Sequence, residues 1–110
     1  MIHLVQQPAT DAQVKDMLEQ HESYIKLAVD VKRSVLAGGG EFHADCEAVL
    51  VEDGSARQDV WGADWVPDQQ TVRYSSLINI RPKMNASMEI LDPAIRQQVE
   101  RVVRTRFKRA

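Results

Sequence analysis

The chain has 110 residues, 44% of them hydrophobic and 27% charged, with a formal charge of −2. These are the proportions of an ordinary folded domain: they exclude a disordered, fibrous or membrane-embedded chain and provide no bulk charge for binding nucleic acid or anionic lipid. The charge is unevenly placed, because residues 41–68 hold one basic and eight acidic side chains while residues 69–110 hold nine and three.

Residues 2–6 read as a short strand that stops before Pro8. Thr10 and Gln13 have the spacing of a capping box, so a helix is expected from there to near residue 22, with Val14, Met17 and Leu18 on its apolar face. From Tyr24 the period changes to two. Ile25, Leu27, Val29 and Val31 fall on one side and Tyr24, Lys26, Ala28 and Asp30 on the other, which predicts a half-buried strand. Residues 32–33 turn the chain into Val35, Leu36 and Ala37. Gly38, Gly39 and Gly40 then serve backbone geometry, as a bend or a close approach, and Glu41 behind them rules out a phosphate-binding loop.

Residues 42–52 alternate again. Ala44, Cys46, Ala48 and Leu50 face one way and His43, Asp45 and Glu47 the other, with Glu41 just before them, so a strand closed by a turn at Asp53-Gly54 is expected. Residues 60–66 give a further strand with Trp61, Ala63 and Trp65 on one face, stopped at Pro67. Residues 71–81 give the longest strand, with Asn79 and Arg81 on its polar face and Pro82 as its stop. After a loop and a brief extended piece, Asp92-Pro93 opens a last helix in the order N-cap then N1 proline. Its apolar stripe is Ile95, Val99, Val102, Val103 and Phe107.

The pattern predicts one α+β domain over residues 1–110: a two-layer fold with a mostly antiparallel sheet of about five strands, an N-terminal and a C-terminal helix on one face, and a polar second face. With Cys46 the only cysteine, no intrachain disulfide can form. A reducing, cytoplasmic setting is expected. The N-terminus does not have the pattern of a secretory signal, and the longest aliphatic run, 48–51, falls far short of the ~20 residues that span a bilayer. No membrane partner is expected.

The segments 37–41 (Ala-Gly-Gly-Gly-Glu), 43–47 (His-Ala-Asp-Cys-Glu), 61–65 (Trp-Gly-Ala-Asp-Trp) and 77–82 (Leu-Ile-Asn-Ile-Arg-Pro) together resemble a family of short prokaryotic proteins catalogued as a domain of unknown function. The resemblance runs over nearly the whole chain. It implies a stand-alone domain and carries over no catalytic residue, cofactor or partner. Ala86 stands where the resemblance leads one to expect a basic residue between Asn85 and Ser87.

On a strand, Glu41, His43, Asp45 and Glu47 would emerge together. His43 and Asp45 would then offer two ligands to one metal ion, although a solvated row paired with Lys26, Arg73 and Arg81 is the commoner outcome. Trp61 and Trp65 are candidate ring platforms but more simply core anchors, and Asn79 with Arg81 could recognise a carboxylate. Cys46 is expected in the core, away from His43, and His3 and His21 are expected to be structural. Arg101, Arg104, Arg106, Lys108 and Arg109 crowd the last helix end, where the helix dipole already favours cations, so nucleic acid is not favoured.

These residues favour a ligand-binding or protein-interaction module using the polar sheet face through Glu41, His43, Asp45, Glu47, Trp61, Trp65, Asn79 and Arg81. Self-association as a homo-oligomer and a small-molecule ligand fit that reading. The alternatives are a small metal-assisted hydrolase built on His43, Asp45 and Glu47, and nucleic-acid binding through the basic last helix. No cofactor is specified, and the sequence does not decide whether the chain is an enzyme.

Overall fold

The computed structural model describes residues 1–108. Five strands form one sheet: β1 (His3–Val5), β2 (Ile25–Asp30), β3 (Val35–Gly38), β4 (Val60–Val66) and β5 (Thr71–Arg73), in the order β1-β3-β2-β4-β5. Every neighbouring pair is antiparallel. Three α-helices accompany them: α1 (Asp11–Met17), α2 (His43–Glu52) and α3 (Pro93–Arg106). The fold is α+β with N-terminal and C-terminal helices packed on the sheet. Among the described residues no helix is long and apolar enough to cross a membrane.

The first helix starts as the capping box requires. Thr10 accepts from the Gln13 amide, and the Gln13 side chain accepts from the Thr10 amide. It ends at Met17 rather than near residue 22, because the chain then turns tightly and Glu22 adopts a left-handed φ of 61°. Asp92 caps α3 through the Ala94 amide, with Pro93 at the first helical position. Ile25, Leu27, Val29, Trp61, Ala63 and Trp65 point to one sheet face and pack with Met17 of α1 and Val99, Val102, Val103 and Phe107 at α3.

The segment after the three glycines is where the structure departs most from the sequence reading. Residues 43–52 form a helix, not a strand. Cys46 and Leu50 are fully buried four residues apart, beside half-buried Val49, while Ala44 and Ala48 face solvent. Asp45 accepts from the Phe42 amide at 3.2 Å at the start of this helix. Gly54 (φ +112°) closes it: the Gly54 amide donates to Val51 O and the Ser55 amide to Leu50 O, the two bonds of a Schellman motif. The second sheet face is therefore not open and polar. It carries its own apolar cluster of Ala28, Val35, Ala37, Cys46, Leu50 and Val60 beneath α2, which adds a third layer.

Topology explains the side α2 takes. The connections β1-α1-β2 and β3-α2-β4 each skip one strand and move the same way across the sheet, but β1 and β3 run in opposite directions. A right-handed crossover must then place α1 and α2 on opposite faces.

The expected strand over 71–81 stops at Arg73. Leu77–Asn79 is a turn of 3-10 helix, and the chain from 74 to 91 forms an irregular hairpin bridged at Ser75–Glu89 and Arg81–Asn85. Its legs seal the outer edge of β4 with side chains. The Asn79 Oδ1 accepts from the Gly62 amide at 2.7 Å, and its Nδ2 donates to Gly62 O at 3.0 Å. The Arg81 guanidinium donates to Gln58 O at 2.6 Å and to Val60 O, and lies over the Trp61 ring 3.7 Å from its centroid. Burial lowers the Arg81 pKa, against the pull of Glu47 and Asp59. Gly62 permits this closeness: a Cβ there would lie 2.4 Å from Ser76 Cβ and 2.9 Å from Ile78 Cγ1.

Candidate functional site

Helix α2 leaves one end of the second sheet face uncovered. There Lys26, Asp64 and Arg73 lie side by side on three strands, since Lys26 opposes Asp64 and Asp64 opposes Arg73 in the sheet register. The first residue of α2, His43, reaches down to this row. Its Nε2 lies 2.8 Å from Asp64 Oδ1 and 3.1 Å from Ala63 O. Both partners only accept, so Nε2 carries the proton and donates. The other Asp64 oxygen is 3.3 Å from Arg73 Nη2, and Asp64 is only 8% exposed.

Aromatic rings support the two cations. The Arg73 guanidinium lies over Tyr24 at 4.5 Å from the ring centroid, and Lys26 Nζ over Phe42 at 5.6 Å. Tyr24 also stacks on His21 at 4.8 Å, whose Nε2 donates to Glu41 O at 3.1 Å. The result is a shallow cleft of about 480 Å³ lined by Tyr24, Lys26, Asp64, Arg73, Tyr74 and Glu89. Its acids are already engaged, Asp64 by His43 and Arg73 and Glu89 by Arg96 at 3.1 Å. Among the described residues no carboxylate lies within ion-pair distance of Lys26. Arg73 and Arg96 each offset one of the two carboxylates, which leaves Lys26 as the cation of the cleft with no ion-pair partner among the described residues.

The residues singled out in the sequence are dispersed by the helix. Of Glu41, His43, Asp45 and Glu47, only His43 joins the row. Glu41 is exposed and contributes its carbonyl to His21; Asp45 caps α2; Glu47 pairs with Arg57 at 3.0 Å. His43 and Asp45 are thus held by different partners and do not form a ligand pair. Among the described residues no three His, Cys, Asp or Glu side chains converge on a metal position. Trp61 and Trp65 share a face as alternation predicts, but each is only 2% exposed, Trp61 beneath Arg81 and Trp65 stacked on Phe107 at 5.6 Å. Asn79 and Arg81 hold the edge of β4 instead of presenting a polar face. The basic end of α3 is partly spent on internal contacts: Arg104 pairs with Glu100 at 3.3 Å and Arg106 donates to Ser34 O at 2.8 Å. Arg109 lies outside the described residues.

The chain matches, over residues 3–106, the family described as protein of unknown function (DUF5674). It belongs to that family. No curated protein and no solved structure matches it. The DUF5674 match covers every strand and helix that builds the cleft, so the row of Lys26, Asp64 and Arg73 lies wholly within the family domain.

Cys46 lies on α2 in the same turn as His43, yet it is not a nucleophile paired with it. Burial pushes its thiol up to about 11, outweighing a hydrogen bond from the Gly40 backbone, and its Sγ faces Lys26 O at 3.5 Å. At pH 8 roughly one thiol in a thousand is then ionised. Native protein should resist a disulfide reagent at pH 8 for hours while urea-unfolded protein reacts within minutes; rapid labelling of the folded chain would contradict this burial. The sign of the shift also fixes its pH window. Its contribution to stability is complete below the ordinary thiol value of 9.0 and falls away as pH rises toward 11.

Proposed function

We propose that this DUF5674 chain is a small-ligand-binding module that takes a molecule bearing a carboxylate or phosphate group in the cleft of Lys26, Asp64 and Arg73. The reading rests on one observation: two cations flank a carboxylate that is already engaged by His43 and Arg73, so Lys26, with no ion-pair partner among the described residues, is left to meet an anion beside the Arg73 guanidinium. Lys26 supplies a point charge and Arg73 a planar fork, the pairing that suits an oxyanion. His43 acts through Asp64, holding its carboxylate against the sheet so that it neither swings into the cleft nor captures Lys26. Tyr24 and Tyr74 wall the site, and the Tyr74 hydroxyl, donating to Glu100 at 2.9 Å, stays protonated up to about 12.

Titration with inorganic phosphate and with acetate, followed by amide chemical shifts, is the direct test. Saturable changes are expected at Lys26, Asp64 and Arg73, and at Ser75, which also lines the cleft. Each charge-assisted contact is worth roughly 1.5–3 kcal/mol, so Lys26→Ala should weaken binding at least about tenfold with little change in melting temperature, and Arg73→Ala should weaken it as much while also lowering the melting temperature, because nearly buried Asp64 loses a partner. Shifts that scatter over the surface, or affinity unchanged in both variants, would end this reading.

A further inference from the structure

We infer that the irregular hairpin 74–91 is the face through which two copies of this chain associate about a two-fold axis. Among the described residues, five of the seven large apolar side chains left exposed are Leu77, Ile80, Met84, Met88 and Leu91, all on this one hairpin and 44–71% exposed. The backbone bridges Ser75–Glu89 and Arg81–Asn85 fold the segment back on itself, so these five positions lie along two adjoining legs and the tip between them. The Leu91 amide donates to Asn85 Oδ1 at 3.0 Å, which holds the last of the five beside the same loop.

The hairpin is also rigid, which separates it from an ordinary surface loop. Asn79 and Asn85 are buried at its centre. The Asn85 Nδ2 lies 2.8–3.0 Å from the carbonyls of Asn79, Ser87 and Glu89. The apolar side chains are therefore presented on a backbone that is already ordered, so little loop entropy is lost on docking.

Area and charge identify the occupant as a second copy. Side chains of this size at these exposures present roughly 500 Å² of apolar surface, the upper range for a lone domain and more than half of the roughly 800 Å² that each partner gives to a standard interface. A two-fold contact sets a patch against itself and so tolerates little net charge. Between Leu77 and Leu91 the charged residues are Arg81, Lys83 and Glu89. Arg81 is held by backbone carbonyls at the edge of β4 and Glu89 is paired with Arg96, so Lys83 is the one charge of this segment with neither an ion-pair nor a side-chain hydrogen-bond partner among the described residues. A partner chosen by charge would find nothing here to select it, whereas an identical apolar hairpin fits.

Sedimentation equilibrium of the isolated chain between about 1 and 500 μM tests this. A monomer–dimer equilibrium with a dissociation constant in the micromolar range is expected. Leu77→Asp and Met84→Glu, both at exposed positions that leave the buried asparagines alone, should each raise that constant at least tenfold while keeping the wild-type melting temperature at low protein concentration. Amide shifts that change with concentration should map to residues 77–91. A chain that stays monomeric up to 500 μM, a dimer indifferent to both substitutions, or concentration-dependent shifts lying elsewhere would each overturn the inference. The same spectra recorded with phosphate separate this face from the ligand cleft: the signals of Lys26, Asp64 and Arg73, which lie on the sheet, should move with phosphate and not with protein concentration.

Discussion

Asn79→Ala is expected to cost about 4 kcal/mol in urea or thermal unfolding. Asn79 is fully buried, and its amide does what a neighbouring strand would do. It accepts from the Gly62 amide at 2.7 Å and reaches the carbonyls of Gly62, Met88 and Tyr74 at 3.0, 3.1 and 3.3 Å. Truncation strands a backbone donor and several acceptors inside the protein, each at a cost of roughly 1–3 kcal/mol less whatever water or relaxation recovers. In a domain of this size the melting temperature should fall by about 15–20 °C. Asn79→Asp sharpens the test. It keeps the acceptor for Gly62 but turns the donor into a second acceptor facing three carbonyls. That carboxyl would be held neutral, its pKa raised in the folded state, so the variant should regain stability as pH falls, opposite to the trend for a carboxylate stabilised by ion pairs. A loss below about 1 kcal/mol in the alanine variant would mean that the edge of β4 is sealed some other way.

The same residue shows why part of the fold could not be read from the sequence. Period-two patterning continues past Arg73 through Tyr74, Ser76, Ile78 and Ile80, so it extends the strand to residue 81. The structure ends the strand because a side-chain amide, not a backbone ladder, satisfies Gly62, and no local pattern encodes that exchange. The helix α2 fails for a different reason: Cys46 and Leu50 are four apart, a spacing that suits both a strand and a helix, and the small residues Ala44 and Ala48 do not distinguish core from solvent. Asp53-Gly54 closes hairpins and helices alike. Where the chemistry is local and unambiguous, sequence and structure agree, as at the Thr10–Gln13 capping box, the Asp92-Pro93 start and the shared face of Trp61, Ala63 and Trp65.

The cleft divides in the same way. Tyr24 and Lys26 fall on the polar side of their strand by simple alternation, and His43 stands out as a chemically capable residue. Its partner does not: Asp64 is 21 residues away, and its place between Lys26 and Arg73 depends on the register of three strands. Long-range register follows from the packing of both sheet faces, and the alternation reading assigns α2 to the sheet instead of to one of those faces.

Gly39→Ala should cost about 3–4 kcal/mol, and a matched control says why. Gly39 has φ +101°, a region that charges a residue with a Cβ roughly 1–3 kcal/mol. A Cβ there would also meet Met1 O at 2.5 Å and Met17 Cγ and Cα at 2.9 and 3.1 Å. Backbone cannot swing aside as a flexible side chain does, so the N-terminal segment or the end of α1 has to move, and Met17 is fully buried. Gly54 has a similar φ of +112° but nothing within 4 Å of its added Cβ. Gly54→Ala therefore carries the backbone penalty alone, about 1 kcal/mol for a residue at a helix end. The difference between the two unfolding free energies, about 2–3 kcal/mol, measures how tightly Met1 and α1 are seated on the glycine run. Equal losses at the two positions would show that these glycines serve turn geometry only, and that the contact of the N-terminal segment with the end of β3 is loose.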